Sequence, residues 1–161
     1  NRVAFNVFQQ YTRSGLINSM YLMCNETISD FLPLLSIDNF YDGLNNAIVN
    51  VFENVIFYLD QEPVMGSHHE PKQISRIRTV SYGDFHEKKK KLYFPLDNIT
   101  ETCYLINIEE EDLNNDESII PSCQQIIREN MALERQSSFA IWKSSEENHL
   151  YSVHYTHFIQ E

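Results

Sequence analysis

The stretch DNFYDGLNNAIVNVFENVIFYLD, residues 38–60, decides how the architecture is read. Phe40, Leu44, Ile48, Val51, Val55 and Leu59 recur every three or four positions, the spacing that puts side chains on one face of an α-helix. Tyr41, Ala47, Phe52, Ile56 and Tyr58 widen that stripe. A stripe so broad has to cover something large, such as a sheet face or other helices. Asp38 stands where a helix N-cap belongs, with a carboxylate able to accept from the first free amides.

Toward the N-terminus the same period continues. Val3, Val7, Phe8 and Tyr11 lie about one turn apart, Gly15 interrupts, and Leu16, Met20, Met23, Ile28, Phe31 and Leu32 resume until Pro33 ends the segment. Toward the C-terminus, residues 61–73 hold two Pro, one Gly and two His, and read as a loop. Beyond it the period shortens to that of strands. Residues 74–81 and 91–96 predict a long hairpin around Gly83-Asp84, and 102–108 a third strand. Residues 109–118 form an acidic connection, and Pro121 suits the first turn of a helix near 120–135 whose face carries Cys123, Ile126, Ile127, Asn130 and Met131. Residues 139–143 and 149–159 predict a last hairpin, joined by the polar loop 144–148.

The expected fold is therefore α+β, one domain over residues 1–161. N-terminal helices, with one long helix at about 38–60, pack on a mainly antiparallel sheet of about five strands, with a further helix near 120–135. Longin-like, Cache- or PAS-like and HORMA-type domains combine such elements. The order here is most similar to that of HORMA-type domains, a resemblance in the sequence of elements that involves no motif residues.

Charge narrows the partners. The chain has 23 acidic and 12 basic residues, a formal charge of −11. Phosphate backbones and anionic lipid surfaces repel such a chain, so nucleic acid is not an expected partner. The basic run Lys88, Lys89, Lys90 and Lys91 reads more plainly as a solvated hairpin tip. No apolar run reaches the ~18 residues of a membrane span. Cys24, Cys103 and Cys123 include no Cys-x-x-Cys pair and are odd in number, which suits buried free thiols in an intracellular, reducing setting. A Cys103–Cys123 bridge in a secreted chain is the alternative. The start, Asn1-Arg2-Val3, has neither an initiator Met nor an apolar leader, the expectation for a processed or excised chain.

No motif for catalysis or metal binding survives inspection. His149 and His157 share a strand face with His154 opposite, but eight strand residues separate the first two by about 27 Å, too far to share an ion. His68 and His69 are sequence neighbours whose side chains diverge. Glu70-Pro71-Lys72 has the Glu-x-Lys spacing of metal-dependent nucleases, with Asp60 upstream, yet Pro71 sits badly in the central strand that chemistry needs. Asp112, Asn114, Asp116 and Ser118 resemble half a calcium loop, but Glu117 and Cys123 stand where its Gly and bidentate Glu belong. Arg76 and Arg78 before Ser81 have the form of a basophilic kinase site, but the same residues read more plainly as a packed strand, which is a poor kinase substrate. There is no Gly-x-Ser-x-Gly elbow and no Gly-rich phosphate loop.

The expected function is thus a non-enzymatic protein-interaction or adaptor domain without cofactor or metal. It would take a partner strand at a sheet edge, or a basic surface through Glu109, Glu110, Glu111 and Asp112. Trp142 is a candidate anchor, though a lone strand Trp more often fills a core. The alternative is a Cache- or PAS-like sensor, holding a small molecule in a pocket of Tyr and Phe between helix and sheet. An enzyme without a recognisable motif ranks third.

Overall fold

The computed structural model describes residues 2–32, 36–68, 70–84, 91–131 and 136–161. Pro33, His69 and Lys88, Lys89 and Lys90 lie outside these residues, as does the 132–135 end of the expected fourth helix. Helix α1 (Arg2–Ser14) ends at Gly15, whose φ of +87° suits a residue without Cβ. The continuation expected to be helical instead holds strand β1 (Met20–Tyr21) and the five-residue helix α2 (Asn25–Ser29). A 3-10 turn, Ile37–Asn39, leads into the long helix α3 (Phe40–Asp60). Asn39 rather than Asp38 occupies the N-cap position, and neither side chain caps the helix.

Seven strands then form one sheet in the order β1-β3-β7-β5-β6-β2, with β4 on β3. They are β2 (Met65–Ser67), β3 (Ile77–Asp84), β4 (Lys91–Leu92), β5 (Glu101–Glu109), β6 (Gln136–Ser144) and β7 (His149–Thr156), together with β1. Helices α4 (Glu110–Asn115) and α5 (Ile119–Met131) separate β5 from β6.

The sheet is mixed, not mainly antiparallel with about five strands. β5 and β6 run parallel with Glu101 opposite Gln136 and Glu109 opposite Ser144, and β1 runs parallel to β3. The physical reason is the crossover. A helix between two strands carries the chain back to its starting end, so the second strand enters in the direction of the first. The expected final hairpin does not form, because β7 inserts between β3 and β5 and is antiparallel to both. β2 falls inside the stretch read as a loop and pairs antiparallel with β6 at the sheet edge. There Gly66 has a φ of +76°, and a Cβ on it would collide with the Phe139 carbonyl.

Helices cover both faces. Cys103 and Leu105 of β5 join Leu44, Val51, Val55 and Tyr58 of α3 in one buried cluster. Tyr104, Ile106 and Ile108, pointing the other way along the same strand, join Ile119, Cys123 and Ile127 of α5 in a second. Cys103 and Cys123 thus lie on opposite faces of the sheet and are free thiols. A third cluster gathers Leu22, Ile77 and Leu96, with Phe5 of α1 packed against it.

Candidate functional site

The acidic segment expected to meet a partner is tied into the fold. The connection between β6 and β7 has to step over the end of β5, and α4 and β5 hold it there. Asn148 Oδ1 accepts from the Glu109 amide at 2.7 Å, and Asn148 Nδ2 donates to Asp112 Oδ2 at 2.6 Å. Asn107 Nδ2 donates to the Glu147 carbonyl at 3.1 Å. Glu110 is exposed and pairs with Lys143 at 2.8 Å, and that hydrogen bond lowers its carboxyl pKa. Glu111 is exposed on the same short helix. The half calcium loop is used differently: Asp116 Oδ1 accepts from the Ser118 amide at 2.8 Å. Trp142 is 5% exposed, with its ring 5.2 Å from that of Tyr58 and its Nε1 donating to the Gln61 carbonyl. It sits in the α3-side cluster, apart from the solvent-facing Glu110 and Glu111.

The histidines are dispersed. His68 stacks on Trp142 at 6.2 Å, His149 lies beside Tyr82, and His157 lies tilted against Phe158. His154 is buried among hydroxyls, its Nε2 3.1 Å from Ser152 Oγ and 3.2 Å from Ser81 Oγ, and its Nδ1 3.2 Å from Thr102 Oγ1. That also places Ser81, the residue of the kinase-like motif, in the interior. Among the described residues no group of three or more His, Cys, Asp or Glu could hold a metal ion, and no helix is long and apolar enough to cross a membrane.

Two features went unread in the sequence. The first is the surface of α1. Phe5 packs on the core, but most of the helix's apolar residues face outward: Val3, Val7, Phe8 and Tyr11 are exposed, Val3 to 73%, and so is Leu16 just beyond the helix, to 78%. The helix buries Gln9 and Thr12 instead. Gln9 is fully paired, donating to the Gln160 carbonyl at 3.0 Å and accepting from the Gln160 amide at 2.7 Å. The stripe was legible as a period, but not which side of the helix the fold would take.

The second is a cavity at the start of β3, bordered by Lys72, Arg76, Arg78, Glu70 and Tyr155. Beneath it Glu101 is buried at the head of β5, accepting from Ser75 Oγ at 2.7 Å and from the Lys72 amide at 3.2 Å. A carboxylate opening a mainly apolar run was the signal available in the sequence.

No protein-family model matches the sequence, and no curated protein matches it. Solved structures do match. FtsZ from M. jannaschii superposes with a TM-score of 0.64 at 9% identity, covering 94% of this chain and 52% of that one. CetZ from Methanosaeta thermophila gives 0.62 at 15% identity, over 98% of this chain and 49% of its own. TubZ from Bacillus thuringiensis serovar israelensis, in a GTPγS-form protofilament, gives 0.62 at 10% identity, over 98% and 47%. These matches overturn the functional expectation. An adaptor or regulatory domain, a Cache- or PAS-like sensor and a non-enzymatic role are all withdrawn, because proteins of this fold include a nucleotide-form protofilament. At these identities what is shared is the fold, and the chain, similar in fold to FtsZ, CetZ and TubZ, spans about half their length.

Proposed function

We propose that this chain forms half of a GTP-binding, GTP-hydrolysing and self-assembling protein of the FtsZ, CetZ and TubZ kind. The observation that carries the reading is the fold likeness over 94–98% of the chain to proteins that include an FtsZ dimer and a GTPγS-form TubZ protofilament. The sequence adds a division of labour. The sequence has four glycines and no Gly-rich phosphate loop of the kind that cradles nucleotide phosphates. Those phosphates would be held by residues outside this span, and this half would supply packing and assembly surfaces. The exposed face of α1 supports that role, since Val3, Val7, Phe8 and Tyr11 offer a ready apolar cover for a second body.

Sedimentation and GTP turnover by the protein expressed from its complete gene test the reading. Polymer should pellet with GTPγS and not with GDP, and GTP should be consumed. A protein that binds no guanine nucleotide and stays in the supernatant with every nucleotide would remove it.

A further inference from the structure

We propose that the cavity at the start of β3 binds a small phosphate-type oxyanion, with Arg78 as its principal ligand. This site is independent of the assembly reading. Its volume is about 450 Å³, within the range of small-ligand sites. Three cationic side chains, Lys72, Arg76 and Arg78, line it against one carboxylate, Glu70. In a chain with 23 acidic and 12 basic residues, that is a local reversal of charge. Glu101 lies beneath the cavity, its carboxylate accepting from Ser75 and from the Lys72 amide, so three cationic side chains still outnumber two carboxylates there.

Arg78 carries the argument. Its guanidinium carbon lies 5.1 Å from the Tyr155 ring centroid and 5.6 Å from that of Tyr21, and Nη1 donates to the Tyr21 hydroxyl at 3.4 Å. Its Nε is buried without a hydrogen-bond partner, and among the described residues no carboxylate lies within ion-pair distance of it. Leaving a buried donor unsatisfied is unfavourable. A purely structural arginine in so acidic a chain would be expected to have its counter-ion built in. The two tyrosines instead fix the guanidinium without supplying a counter-ion in contact with it, the arrangement that suits a planar fork awaiting an oxyanion. Arg76 is held in place from behind, with Nε donating to the Gln73 carbonyl at 2.6 Å and Nη1 to Asn18 at 3.3 Å. Lys72 is exposed at the rim, where its ammonium can close over a bound anion.

The test is an NMR titration of the 161-residue chain with inorganic phosphate, against sodium chloride at matched ionic strength. The Arg78 Nε–Hε resonance and the amides of residues 72–78 are the reporters. Saturable shifts are expected with phosphate alone, with affinity about tenfold weaker in Arg78→Gln and intermediate in Arg78→Lys, which keeps the charge but not the fork. Lys72→Gln, on the exposed rim, should weaken binding about threefold and serves if the Arg78 variants do not fold. Shifts no larger than those in chloride would overturn the proposal. So would phosphate binding Arg78→Gln and Lys72→Gln as tightly as the parent, the mark of an adventitious ion only.

Discussion

Asn148 bonds in two directions at once, to the Glu109 amide and to the Asp112 carboxylate. The fold needs this because β6 and β7 are not neighbours: the turn between them crosses the end of β5 with few residues to spare. Asn148→Ala would leave the Glu109 amide and Asp112 without that partner, at a cost of about 1–3 kcal/mol. Denaturant titration reads this as a lower midpoint at unchanged slope. Asp112→Asn should cost less, since an amide oxygen still accepts from Asn148. If Asn148→Ala unfolds at the parent midpoint, backbone contacts alone hold the crossover. The neighbouring Glu110–Lys143 pair is exposed on both sides and is no substitute for it.

Helix α1 inverts the usual rule for an amphipathic element. Its polar Gln9 is buried and paired with Gln160, while Val7 is exposed. Gln9→Ala should therefore destabilise this chain by about 1–3 kcal/mol, whereas Val7→Ser should stay within about 0.5 kcal/mol. Thermal melts of the two variants decide it, and the reverse ranking would mean that α1 docks with its apolar face inward. The same helix marks the limit of what the sequence could tell. Periodicity fixed α3, because its stripe is broad and Leu44, Val51 and Val55 are buried as expected. It found β5 and the α5 face of Cys123 and Ile127. It could not fix pairing. Whether β6 lies beside β5 or β7 is settled by the crossover and by loop reach, which leave no periodic mark on Phe139 or Ile141. β1 and β2, at two and three residues, are shorter than any window that reveals alternation. The cavity was half visible. Lys72, Arg76 and Arg78 stand close together in the chain, but Tyr21, Glu101 and Tyr155 reach them only through the sheet.

At the scale of the whole molecule, the two central strands make the fold sensitive to base. Nearly every residue of β5 and β7 is buried, and they and their neighbours carry acids that the interior keeps neutral. Burial pushes Tyr93 up to about 12 and Cys123 up to about 11. It also raises Tyr151 and Tyr155 well above the ordinary phenol value of 10.0, reinforced by Tyr82 beside Tyr151 and by Cys103 beside Tyr155. Each of these groups releases its proton more readily once the chain unfolds. Their contribution is thus fully present below the unfolded values, 9.0 for the thiol and 10.0 for the phenols, and is lost as pH rises through the folded ones. Stability should fall steeply between about pH 9 and 12, with the phenolate absorbance of the buried tyrosines appearing together with the loss of far-ultraviolet circular dichroism. Tyr155→Phe keeps the ring and removes one such proton, so its alkaline midpoint should move upward. An unmoved midpoint would mean that the fold fails elsewhere first, with the sheet interior responding only after the chain has opened.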